Sequence, residues 1–82
     1  MSPDKREVTL SVVAPVFNEA TGVDRFVEEV RGALEALDLN GRWELVLVDD
    51  GSTDGTAERL DTIAGTYADD TLVLHLSRNF GH

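Results

Sequence analysis

The sequence predicts an α/β chain built on a parallel sheet, and three observations carry that prediction. Three short apolar runs, Val8 to Val13, Trp43 to Val48 and Thr71 to Leu76, alternate with two longer segments of helical periodicity. Helical connections of that length imply parallel strands joined by right-handed crossovers. Each run leads into a polar stretch, Pro15 to Glu19, Asp49 to Thr53 and Ser77 to His82. All three stretches then open on one rim, the carboxyl end of the strands, where open α/β sheets bind ligands.

The elements follow in order. Residues 1 to 7 are polar and mixed in charge and are expected to form a disordered lead. Val8 to Val13 begins in alternation and ends in continuous apolarity, as in a strand buried on both faces, so the expected architecture is a three-layer α/β/α arrangement. Pro15 should end this strand, because proline has no donor for the ladder. Val23, Phe26, Val27, Val30, Leu34 and Leu37 then mark one face of a helix. Thr21 and Asp24 have the spacing of a capping box, with Asn18 as an alternative cap one turn earlier. Asn40-Gly41 stops this helix. After the second strand, Gly51 permits a tight turn, and Ser52, Thr53 or Asp54 can cap a second helix with an apolar face of Ala57, Leu60, Ile63, Ala64 and Tyr67. Gly65 weakens the end of that helix, and Asp69-Asp70 forms the loop before the third strand.

Composition limits the function. The 82 residues suffice for one small domain, whose stability should be thin. Sixteen acidic against seven basic side chains give a net charge of −9, which argues against nucleic acid. That charge leaves a single nucleotide or a divalent cation open as ligands. Without cysteine there are no disulfides or thiolate metal sites. The sequence shows neither a signal peptide nor an apolar run of membrane length, so the expectation is a cytoplasmic protein.

The strongest chemical signal is Asp49-Asp50 at the end of the second strand. Neighbours in an extended chain point to opposite sides, so the two carboxylates should do different work. One can cap the nearby helix or bind turn amides, and the other can accept a hydrogen bond from a ligand, such as an imide or amine N–H of a nucleobase. The alternative is that both cap the turn and helix. Phe17 can stack on a base or belong to the core. Glu19 can bond a ribose or base edge, or favour the helix N-terminus through its dipole. Arg78 can pair with a diphosphate, or be a solvated loop residue. His75, inside an apolar run, is expected to be a partly buried structural residue rather than a ligand or base. No dinucleotide-binding glycine pattern, P-loop or nucleophile elbow is present.

Three motifs in order resemble the family 2 glycosyltransferases: Ser11-Val12-Val13-Ala14-Pro15-Val16-Phe17-Asn18-Glu19, Val46-Leu47-Val48-Asp49-Asp50-Gly51-Ser52-Thr53-Asp54-Gly55-Thr56, and Leu76-Ser77-Arg78-Asn79-Phe80-Gly81-His82. The last is most similar to the branch that loads sugars onto polyprenyl or dolichyl phosphate. The similarity covers about residues 8 to 82, expected to be the N-terminal part of a nucleotide-sugar-binding domain of GT-A fold. It implies a nucleotide-diphosphate sugar donor, a lipid-phosphate acceptor at the cytosolic membrane face and a divalent metal, Mg²⁺ or Mn²⁺. It also implies that Pro15, Phe17 and Glu19 line the nucleoside pocket, although tyrosine is common at the Phe17 position. Val48 and Asp50 would lie at the base and Arg78 towards the phosphates. The family's metal-binding Asp-x-Asp, catalytic base and acceptor site fall beyond His82. The chain is therefore expected to lack metal ligands and catalytic residues, and to be inactive alone. The competing reading is a non-catalytic, receiver-like module with an acidic Mg²⁺-binding rim. Such modules place an acid pair after the first strand, where this chain has Pro15 and Phe17.

Overall fold

A computed structural model describes residues 8–40 and 42–76. Its elements are β1 (Leu10–Val16), α1 (Val23–Glu35), β2 (Trp43–Asp49), α2 (Thr56–Thr66) and β3 (Thr71–His75). The sheet order is β1-β2-β3, with both pairings parallel and β2 in the centre. The expected α/β class and parallel sheet are therefore found. The proposed lead at residues 1 to 7, the loop from Ser77 to His82 and Gly41 lie outside the described residues.

Two right-handed crossovers stepping the same way across a sheet place both helices on one face. Burial agrees with that geometry. Along β2, Trp43, Leu45, Leu47 and Asp49 are buried while Glu44, Val46 and Val48 are only half-buried. Ala14 and Val16 of β1 join Trp43, Leu45 and Leu47 in a core closed by Val23, Val27 and Leu34 of α1 and Leu60 and Ile63 of α2. Burying each such aliphatic side chain stabilises the fold by about 1.5–3 kcal/mol before entropy is counted. The opposite face stays open, with Val13 64% and Leu74 54% exposed. The described elements thus build two layers, and burial of β1 on both faces does not occur among them. The α/β prediction holds, but the third layer is not formed by the described residues.

Several boundaries differ from expectation for identifiable reasons. Pro15 does not end β1 but pairs with Val48 inside it. The amide of Asp50 donates to the Val16 carbonyl at 3.2 Å, so the polar groups of Val16 face β2. Those of Pro15, one residue earlier, face away from β2, where a missing N–H costs no ladder bond. The helix caps also differ. Gly22 and Gly55 are the N-caps of α1 and α2, and neither of these N-cap residues supplies a side-chain capping bond. Asp24, expected in a capping box, instead accepts from Arg59 Nε at 3.0 and 2.8 Å and ties the two helices together. The apolar face of α1 is narrower than predicted, since Phe26 is exposed and Leu37 lies beyond the helix end.

At the end of the sheet away from the strand carboxyl termini, Arg31 organises the packing. Its guanidinium lies 3.7 Å from the Tyr67 ring centroid and 5.1 Å from that of Trp43. It also pairs with Asp70 and donates to Thr71 Oγ1 at 2.9 Å. With its side chain only 13% exposed, the charge is held by these partners more than by water. Arg31→Ala should therefore lower stability by about 2–3 kcal/mol, leaving Asp70 without its cation. Arg31→Lys should recover only part of that, because an ammonium cannot stack and fork at once. Urea unfolding followed by the fluorescence of Trp43, the one tryptophan, measures both.

Candidate functional site at the strand ends

The carboxyl ends of β1 and β2 are bound into one unit by side chains of the β2–α2 turn. Three consecutive amides after β1 each donate to that turn. Asn18 N–H donates to Ser52 Oγ at 2.9 Å, Glu19 N–H to Thr56 Oγ1 at 2.9 Å and Ala20 N–H to Asp54 Oδ2 at 3.3 Å. One bond returns, from Thr53 N–H to Asn18 Oδ1 at 2.8 Å. Asn18 takes φ 51°, a left-handed conformation that asparagine tolerates better than most residues. Gly51 turns at φ 79° and Gly55 at φ 94°. The hydroxyl and carboxylate groups read from the sequence as helix caps thus serve mainly as acceptors for the neighbouring loop. Asp54 does both, since its Oδ1 also accepts from Thr56 N–H at 3.1 Å. The Thr56 hydroxyl is the chief reason the Asp54 carboxyl sits below the usual carboxylate range.

Asp49 and Asp50 separate as alternation requires. Asp49 is 4% exposed on the helix side of the sheet, and its Oδ1 accepts from Ser52 N–H at 3.0 Å. Burial works to raise its pKa, but the bonds from Ser52 and His75 outweigh burial and hold it below the ordinary value. Asp50 is exposed, and its backbone is joined to the end of β1 through Val16. Pro15 and Val48 are register partners on the open face of the sheet, directly before these turns. Phe17 follows β1 and is 47% exposed rather than in the core. Glu19 is exposed, with its amide turned towards α2. Pro15, Phe17, Val48 and Asp50 therefore share one corner of the molecule by chain position and register. Arg78 lies outside the described residues.

His75 is the residue that the sequence reading undervalued. It ends β3, in register with Asp49. Its Nδ1 lies 3.0 Å from Asp49 Oδ2 and its Nε2 2.8 Å from Asp61 Oδ1 on α2. Asp61 and then Asp49 raise its pKa above the ordinary histidine value, against a smaller opposing effect of burial. One signal was available: His75 has the parity of Thr71 and Val73, which places it on the helix side of β3. Among the described residues no three acidic or imidazole groups are gathered to hold a metal ion, so these residues do not fit as the family's metal site. No helix among them is long and apolar enough to cross a membrane.

Three parallel strands with both helices on one face define an α/β fold with a braced, acidic rim, and comparison with known proteins narrows the class. The profile of glycosyl transferase family 2 matches residues 11–82. Dodecaprenyl-phosphate galacturonate synthase of Rhizobium johnstonii is 41% identical over 76 residues, 93% of this chain and 22% of its own length. Undecaprenyl-phosphate 4-deoxy-4-formamido-L-arabinose transferase of Pseudomonas savastanoi is 39% identical over 72 residues, 88% of this chain and 21% of its own. The enzyme of that name from Proteus mirabilis is 35% identical over 81 residues, 99% of this chain and 24% of its own. No solved structure matches significantly. The chain belongs to glycosyl transferase family 2, and it spans under a quarter of the length of these relatives.

The braced rim makes a stability prediction. Asn18→Ala removes the acceptor for Thr53 and puts a Cβ-bearing residue without a local hydrogen bond at positive φ, which should cost about 1–2 kcal/mol. Asn18→Gly loses the same acceptor but relieves the backbone, and should cost less. The order of the denaturation midpoints, with glycine above alanine, checks this.

Proposed function

We propose that this chain supplies the nucleoside-binding corner of a sugar transferase whose donor is a nucleotide-diphosphate sugar and whose acceptor is a polyprenyl phosphate. The observation that carries the reading is the division of the acid pair at the end of β2. Asp49 is committed to the turn, and Asp50 is presented outward beside the end of β1. A carboxylate so placed accepts from a nucleobase imide or amine N–H, and two such bonds set base and orientation together. Phe17 offers a face for stacking, Pro15 and Val48 an apolar floor, and Glu19 an acceptor for the ribose. Arg78 is assigned to the diphosphate on sequence grounds.

The relatives' names support the acceptor class, since the enzymes compared act on dodecaprenyl or undecaprenyl phosphate. A polyprenyl-phosphate acceptor is lipid-borne, which fits a reaction at a membrane surface, and the cytosolic side is part of this proposal. The divalent metal expected of the family, and the groups that carry out transfer, are assigned to residues other than the described ones. Within this chain the chemistry is recognition: the described residues bind and orient one end of the donor.

Calorimetric titration of the 82-residue chain with UDP and with GDP tests the assignment. Asp50→Ala should weaken binding of the preferred nucleotide by about 10- to 100-fold, the loss of hydrogen bonds to a charged acceptor. Equal heats for the parent chain and Asp50→Ala would overturn it.

A further inference from the structure

His75 links three elements through two carboxylates, and one of those carboxylates shapes the rim. From its ring the contacts run to Asp49 Oδ2 at 3.0 Å, from Asp49 Oδ1 to Ser52 N–H at 3.0 Å, and from Ser52 Oγ to Asn18 N–H at 2.9 Å. The path thus begins on β3, crosses the turn that carries Asp50 and ends in the loop after β1. On the other side of the ring, Asp61 of α2 holds Nε2 at 2.8 Å and fixes the orientation of the imidazole. Carboxylates only accept hydrogen bonds, so both contacts are satisfied together only when both ring nitrogens carry protons. A neutral ring leaves one carboxylate facing a lone pair and removes the cation that balances buried Asp49.

We propose that His75, as an imidazolium held between Asp49 and Asp61, is a positioning residue that keeps the acidic turn and the β1 loop in their ligand-binding geometry. Its consequence for nucleotide affinity rests on the donor-binding reading above, whereas its effect on the turn does not. The charges acting on the ring are those of Asp61 from α2 and Asp49 from β2. Because both raise its pKa, the brace is complete below the ordinary histidine range and is lost as pH rises through the elevated value. Asp49, held below the usual carboxylate range, stays charged throughout that window. The ring remains 40% exposed, so the effect is moderate.

The test uses the 82-residue chain without any added metal. The His75 ring is titrated by NMR between about pH 6 and 9, spanning the range above its ordinary value. Protection of the Ser52 and Asn18 amides from hydrogen exchange is followed in parallel, corrected for the intrinsic rise of exchange with pH. UDP affinity is measured at the same points. Protection and affinity should each fall about three- to tenfold as the ring deprotonates, the scale of one partly solvated charge-assisted bond. Asp61→Asn, on an exposed helix position outside the turn, should move that fall to lower pH, and His75→Gln should abolish it. Unchanged protection across the ring titration, or a fall that Asp61→Asn does not shift, would overturn the proposal. If the parent chain binds neither UDP nor GDP, the donor-binding reading fails, and the amides alone decide the role of His75.

Discussion

Three successive backbone amides after β1 find their acceptors in side chains of a turn more than thirty residues away, and the rim depends on that exchange. A loop leaving a strand end has amides that need partners, and an unpaired one costs as much as a lost hydrogen bond. Here Ser52, Thr56 and Asp54 supply those partners, so neither loop has this shape without the other. The arrangement also explains why glycines rather than polar residues stand at the helix starts. Of the polar groups expected to cap, Asn18 and Ser52 are engaged across the rim, and Asp54 divides between the rim and the first amide of α2. A site built in this way is stiff where two loops meet, as orienting a small ligand requires.

The helices lie on one face of the sheet, yet the strands are apolar on both. Val13, Leu72 and Leu74 carry as much hydrocarbon outward as Ala14, Val16 and Leu47 carry inward. Near-continuous apolarity of this kind belongs to parallel strands covered on both sides. The sequence pattern thus asks for more cover than the described helices give. The reading of β1 as doubly buried therefore follows the pattern, while the described residues cover only one of its faces. Pro15 and Val48 sit on this open face at its upper edge, so the candidate corner at the strand ends and the uncovered surface are continuous.

Periodicity made the five elements legible, because β-branched runs and i, i+3, i+4 spacing are properties of neighbouring residues. Alternation also foretold the separation of Asp49 from Asp50, the most functional detail available from sequence alone. What stayed hidden was pairing across the fold. Whether Asp24 caps its own helix or binds Arg59 depends on a residue 35 positions away. The role of His75 depends on partners 26 and 14 positions away. Pro15 was misjudged for a related reason: proline is excluded only where its N–H would face a partner strand, and facing is a matter of register.

An acidic rim raises an electrostatic question that the contacts answer. Like charges crowded at a strand end would repel each other and any diphosphate brought near. Asp49 is balanced by an amide and an imidazole, Asp54 by a hydroxyl and two amides, and Asp24 by a guanidinium. Most of this negative charge is therefore committed inward before a ligand arrives. Asp50 is turned outward, at the corner where Pro15, Phe17 and Val48 provide apolar surface. An exposed carboxylate beside apolar groups suits a neutral, hydrogen-donating group better than an anion. The braced corner is therefore suited to a neutral group that donates hydrogen bonds, and an anionic group would need positive charge from elsewhere.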